Sequence, residues 1–373
     1  MQATDSSSQT ERDPVEVDTK VYQDILPRIA RGNVIPILSN SMLNEWVFSG
    51  IQSLPKDEAP DPTARQDLTV NEWLAKTWAE ETGYPLKDGY VMARVAQYNL
   101  AVNFIDSTQA KSEYLKFLKK QLLLKAQADG RPADRLQALS RQVDSPKLEV
   151  EFAKITRELD YPVFAEGQEN PLRLISRLQL PIFITTSYFD FIYRALTLEE
   201  VEPRLQVCKW SSQIRIADPA HQHDPAYTPD AKHPLVFHLH GWERYPDSLV
   251  LSEDDHLDFL YRLAQDDDTQ NPVIPLYLYE ALATSSLLLL GFHLWDWDFR
   301  VLLRGLLKHI ETPHRKFNLA IQLNPEGQSS IRDFEKARRY LQDYLGNDYK
   351  FEVIWCDTET FIRRLWEEWK KAD

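Results

Sequence analysis

Glycine is scarce: 11 of 373 residues, about 3% of the chain against a usual share of roughly 7%. No G-x-x-x-x-G-K-[ST] stretch and no G-x-G-x-x-G stretch occurs. Both depend on glycine to bring backbone N–H groups up to a phosphate. A P-loop NTPase and an ordinary dinucleotide-binding turn are therefore excluded. Cysteine is scarcer still. Cys208 and Cys356 are the only two, too few for a disulfide framework or a four-cysteine zinc site. A reducing, cytoplasmic setting is the expectation. Positive charge is also in deficit. Lys and Arg number 43 against 57 Asp and Glu, a net charge of -14, which argues against a dominant nucleic-acid-binding surface. No run of 18 apolar residues occurs, so no membrane span is expected.

What is present suits a soluble globular chain: 43% hydrophobic and 27% charged residues. The length allows one large domain with an insertion, or two domains. Residues 1–17 are polar, lack an apolar h-region and read as a disordered leader rather than a signal peptide. From residue 18 to 373, strand and helix signals alternate. Strands are expected at Val34–Leu38, Pro181–Thr185, Leu205–Lys209, Leu235–His240, Ser286–Leu290, Phe317–Leu323 and Phe351–Trp355. Pro36 counts against a central position for the first of them. Helices are expected at Val21–Arg31, Asp254–Ala264, Trp297–His309 and Asp357–Lys371. Residues 71–167 show helical spacing with almost no strand signal, and read as a helical insertion. The alternation predicts an α/β fold with a doubly wound, mainly parallel sheet.

Ligands of such sheets bind beyond the carboxyl ends of the strands, and four strand ends carry polar clusters. They are Ser39-Asn40-Ser41, Thr185-Thr186-Ser187-Tyr188 with Asp190, His238-Leu239-His240-Gly241, and Gly291-Phe292-His293 running on to Asp298. Convergence of four clusters on one rim is a stronger signal than any single motif. Each also has a simpler account. Ser39 suits a helix N-cap, and Thr185-Thr186-Ser187 would cap a helix over Phe191–Leu196. His238 and His240 alternate with apolar residues, so both point to one face, but further metal ligands are lacking and no metal is expected. Trp295-Asp296-Trp297-Asp298 suits a helix start, with Asp favoured by the dipole. His221-Gln222-His223 lies in a polar loop and reads as solvated.

Together these segments resemble bacterial sirtuin-like proteins, specifically the NAD-consuming effectors of anti-phage defence. Leu287–Leu303 is similar to that group's strand, glycine turn, Asp-x-Asp and helix. His238-Leu239-His240-Gly241 is similar to its histidine motif, Leu249–Asp255 to the acidic segment after it, and Ile184–Tyr188 to its asparagine motif in position. The resemblance spans residues 21–365 and makes the fold sirtuin-like and Rossmann-type. It implies cleavage of the nicotinamide–ribose bond of NAD+ as substrate, with His240 as base. Ser187 would orient water or ribose, and Asp190 would hold the nicotinamide amide or a ribose hydroxyl. Ser39, Asn40 and Ser41 would meet the phosphates. Gly291 would admit the adenosine side beside Phe292 and His293, while Thr185, Thr186, Tyr188 and Gly241 complete the expected binding set.

Three positions depart from the family pattern. Ser39-Asn40-Ser41 stands where Gly-Ala-Gly is usual, Ser187 where asparagine is, and Phe189 where aspartate is unless Asp190 serves. Serine is shorter than asparagine and lacks its amide. The leading expectation is an NAD+ glycohydrolase acting as an abortive-infection effector, activated in a complex. The alternative is a catalytically impaired NAD+ or ADP-ribose-binding scaffold or sensor. A homo-oligomer and a HerA-type translocase ATPase are the expected partners. Deacetylation fits poorly, because deacetylases of this family carry a four-cysteine zinc ribbon.

Overall fold

The computed structural model describes residues 19–53, 68–103, 106–145, 150–265, 272–293, 297–307, 317–322 and 333–372. The expected leader and residues 294–296 lie outside them. Strands and helices are numbered in chain order. β1 (Val34–Leu38), β2 (Ile182–Thr185), β3 (Arg204–Val207), β4 (Leu235–His238), β5 (Ser286–Leu290), β6 (Asn318–Gln322) and β7 (Phe351–Trp355) form one sheet. Its order is β3-β4-β2-β1-β5-β6-β7, and every neighbouring pair is parallel.

Alternation along each strand sends side chains to two separate cores. Ile35, Ile37, Ile184, Phe237, Leu287 and Leu289 face one apolar cluster. That face is covered by α10 (Glu253–Ala264), α11 (Leu276–Thr284), α12 (Trp297–Val301) and α13 (Phe334–Tyr349). Val34, Leu38, Phe183, Val236, Leu288 and Leu290 face the other cluster, beneath α1 (Thr19–Ile29), α2 (Asn40–Val47), α8 (Pro171–Ser176), α9 (Phe191–Thr197) and α14 (Thr358–Ala372). Burial on both faces explains why these strands read as continuous apolar runs. The architecture is a Rossmann-like α/β fold.

Three local expectations differ from the structure. Pro36 sits in the central strand. Leu38 O accepts from Thr186 N, so Pro36, two residues earlier, also faces β2. The ladder to β2 starts only at Ile37, so the missing proline N–H deprives no partner. β4 stops at His238, and Leu239-His240 is a turn. α12 widens into a π-helical turn over Leu302–Leu307, and residues 308–309 lie outside the described set.

Between α2 and α8, five further helices form a block: α3 (Val70–Thr82), α4 (Met92–Asn103), α5 (Ser107–Ala128), α6 (Ala133–Asp144) and α7 (Phe152–Glu158). The block has its own apolar cluster, with Trp73, Trp78, Tyr114 and Leu118 at its centre. The same cluster includes Phe48 after α2, Tyr188 and Phe189 after β2, and Leu249 and Leu251 after β4. The block is therefore seated on the carboxyl edge of the sheet, where the polar clusters lie.

Candidate functional site

The chain leaves central β1 for β2 on one side and later crosses to β5 on the other. That reversal opens the crevice where doubly wound sheets bind ligands. Hydrogen bonds join the strand ends there into one rim. Ser39 N donates to Leu290 O at 3.0 Å, Leu239 N to Thr185 O at 2.8 Å, and Asn40 N to the Thr186 hydroxyl at 2.9 Å.

On the β1–β5 side, Ser39 is the N-cap of α2, and its Oγ accepts from Ser41 N at 3.0 Å. The cap role expected of serine is realised. The N–H groups of Asn40 and Ser41, which a phosphate would meet, are thus held by Thr186 and Ser39. Asn71 of α3 donates from Nδ2 to Ser41 O at 3.1 Å and accepts from Asn44 Nδ2 at 3.0 Å. Gly291 has φ +71°, and a Cβ there would lie 2.2 Å from Met42 Cβ. Only glycine fits so close to α2. Phe292 is buried against Phe299, and His293 Nε2 lies 3.0 Å from Glu45 Oε1.

On the β2–β4 side, the hydroxyls close their own turn rather than cap α9. Thr185 Oγ1 accepts from Ser187 N at 3.0 Å, and Ser187 Oγ from Phe189 N at 3.2 Å. The N-cap of α9 is Asp190, and its side chain makes no cap bond. Its carboxylate holds Arg194 Nε at 2.8 Å instead. Phe189 stacks on Phe152 at 4.1 Å, so apolar packing fills the position where the family resemblance puts an acid. Tyr188 OH donates to Val250 O at 2.7 Å, clamping the β2 turn to the loop after β4.

The two motif histidines do not share surroundings. His238 donates from Nδ1 to Ser187 O at 3.0 Å, and its ring lies 6.1 Å from Trp242. Burial pushes its pKa down to about 4, so it stays neutral. His240 lies in the turn beyond the strand, where alternation no longer applies. Its ring is 5.3 Å from Phe259 and 6.0 Å from His256, both on α10. Gly241 follows with φ +88°, and a Cβ there would lie 2.3 Å from Ser248 O. Thr185, Thr186, Ser187, His238 and His240 are all 0% exposed.

Several side chains at this seam have no signal in sequence, because their partners are far away in the chain. Glu243 is buried, and both its oxygens accept from Phe152 N, at 2.8 and 2.9 Å, at the start of α7. Lys119 of α5 reaches the same carboxylate at 3.2 Å. Burial pushes the Glu243 carboxyl up to about 7, against the pull of Lys119 and the Phe152 N–H. Lys111, two turns earlier on α5, meets Asp255 at 2.8 Å, with both side chains buried. Asp255 belongs to a capping box with Ser252, which its sequence spacing does announce. The expected solvated loop is also corrected. His221 lies 2.9 Å from Tyr245 OH with its ring edge-on to Trp242, and His223 stacks on Tyr277. Burial lowers the pKa of both.

Among the described residues, no three His, Cys, Asp or Glu side chains gather as a metal site. No helix among them is long and apolar enough to cross a membrane. No curated protein matches the chain. Residues 181–349, from β2 to the end of α13, match the family model of a SIR2-like domain. That match supports a sirtuin-like family and, in general terms, an NAD-related activity.

Proposed function

We propose that the chain is an NAD+ glycohydrolase, yielding nicotinamide and ADP-ribose, with the helical block as a cover over the site. The observation that carries this is the continuous rim. The histidine turn is bonded to the Ser187 turn, that turn to the Ser39–Ser41 turn, and the last to β5 beside Gly291. The bond between ribose C1′ and the nicotinamide nitrogen breaks, and its electron pair leaves with nicotinamide. Water adds to C1′ and gives its proton to a base. His240 is the candidate, since an imidazole suits proton transfer near neutral pH. Ser187 Oγ accepts from Phe189 N, which leaves its own O–H to orient water or ribose. Asp190, steadied by Arg194, would take a ribose hydroxyl or the nicotinamide amide. The backbone at Gly241 and Gly291 packs against Ser248 and Met42 too closely for any side chain, which holds the turns of the rim in place.

Ser187 and His240 are completely buried, and in this reading the block shifts to admit substrate. That accords with an effector activated in a complex. The proposal extends to an anti-phage role, a homo-oligomer and a HerA-type ATPase partner, and the order of the motifs is what supports that extension.

A second proposal, an NAD+- or ADP-ribose-binding scaffold, is favoured by two features. Ser39 and Thr186 already occupy the N–H groups of the α2 start, and Phe189 replaces an acid. Calorimetry with NAD+ and nicotinamide release separate the two, using wild type, His240→Ala and Ser187→Ala with and without the candidate partner. Release that His240→Ala abolishes supports hydrolysis. Tight binding without release supports the scaffold.

A further inference from the structure

α10 has two faces with different surroundings. Its inner face buries Phe259 and Leu263 in the apolar cluster against the sheet, with Phe259 5.3 Å from the His240 ring. Its outer face exposes Asp254, Leu257, Asp258, Tyr261 and Arg262, whose three- and four-residue spacing makes them one stripe. Leu257 is 52% exposed and Tyr261 58%. Among the described residues, no other two large apolar side chains are so exposed one turn apart on a helix. A single exposed apolar residue needs no explanation, but an adjacent pair makes a patch.

The charges around that pair are segregated. Asp254 and Asp258 occupy the first two turns, and Arg262 lies in the last. Arg304 is exposed at the same end, next to Gly305, where a Cβ would lie 2.7 Å from Leu263 Cδ1 and 3.2 Å from Leu260 Cδ1. Asp258 and Arg262 are four residues apart, yet Arg262 turns its Nε–H to Trp210 O at 3.4 Å rather than to Asp258. The helix dipole favours acid early and base late, but it accounts for neither apolar side chain.

A stripe of this kind is complementary to itself. About a two-fold axis level with residue 260, two copies of α10 run antiparallel. Leu257 and Tyr261 of one copy then pack on those of the other. Asp258 of each copy meets Arg262 of the other, and Asp254 approaches Arg304. The symmetry makes each of these contacts twice. We propose that the outer face of α10 is the interface between two copies of this chain. This rests on the homo-oligomer in the reading above and deepens it by naming the surface. α10 then carries the subunit contact on one face and Phe259, the neighbour of His240, on the other.

Sedimentation velocity on the full chain tests the interface. Wild type should contain a dimer, alone or as the unit of a larger assembly. Asp258→Arg sets like charges opposite each other twice in a homodimer, and so does Arg262→Asp. Each should weaken association at least about 10-fold. Mixed in equal amounts, the two variants should recover a dimer, because one contact of the mixed pair is native and the other is reversed. Circular dichroism establishes that both are folded. If either charge variant fails to fold, Leu257→Ser still has to weaken association by itself. Variants that associate as wild type does overturn the proposal and leave a homo-oligomer built on another face. Monomeric variants that stay monomeric when mixed overturn it as well. A monomeric wild type overturns both the interface and the homo-oligomer. Nicotinamide release does not enter these outcomes, so a chain that leaves NAD+ intact overturns the hydrolase reading alone.

Discussion

The two halves of the rim are closed in different ways. At the β1–β5 half, closure is mostly local. Ser39 caps its own helix, Thr186 takes the next N–H, and Met42 fills the space against Gly291. At the β2–β4 half, closure comes from outside. α5 crosses the edge and sets Lys111 and Lys119 on carboxylates that follow His240. Both pairs have at least one deeply buried partner. Buried pairs of this kind gain little net stability over apolar packing, yet removing one partner is expensive. The first half depends on contacts between neighbouring turns. The second depends on the docking of α5, a helix from a distant part of the chain.

The largest effects should fall on the two crowded glycines. Gly241→Ala sets a Cβ 2.3 Å from the Ser248 carbonyl at a positive φ, and should cost at least about 4 kcal/mol in chemical denaturation. Gly291→Ala sets a Cβ 2.2 Å from Met42 Cβ, an atom fixed to the α2 backbone, and should cost a comparable amount. The halves separate instead at the lysine pairs. Next, Asp255→Ala strands Lys111 and should cost about 3 kcal/mol. Hydrogen exchange should quicken in α5 while β1 and β5 stay protected.

The pH dependence sharpens the same half. The Glu243 carboxyl is raised from 4.5 to about 7 in the folded state, so the folded chain holds this proton when the unfolded chain has lost it. Raising the pH through that window should lower stability, with the loss levelling off above about 7. Glu243→Gln should remove this component of the slope when melts are compared at matched pH. The smallest effect belongs to the β1 half. Ser39→Ala should cost about 1 kcal/mol, as for loss of a cap. Because it frees the Ser41 N–H, it should also strengthen any binding of ADP-ribose measured by calorimetry.

The central strands are legible because they are apolar on both faces: Val34–Leu38 and Ser286–Leu290 fall where their apolar runs place them. Pro36 misled, because whether a missing N–H matters depends on which neighbour it faces, and a single strand does not reveal that. His240 was identifiable from the motif, but its strand end was not. Gly241 and the Tyr188–Val250 clamp accompany a turn that begins two residues earlier than alternation suggests. The seam was invisible, since Lys111 and Lys119 look like ordinary exposed lysines on a charged helix. Only the docking of α5 on the sheet gives them partners. The burial of His221 is illegible for the same reason, its neighbours Trp242 and Tyr245 being supplied by another loop.

The most direct test of the account measures nicotinamide released from NAD+ by a chain whose seam is loosened. Lys111→Met with Lys119→Met replaces the buried Lys111 and the half-buried Lys119 ammonium groups by apolar side chains of similar length. Circular dichroism first establishes that this variant is folded. Release should be faster than from wild type and should be abolished when His240→Ala is added. A folded seam variant that leaves NAD+ intact, or release that survives His240→Ala, would contradict it.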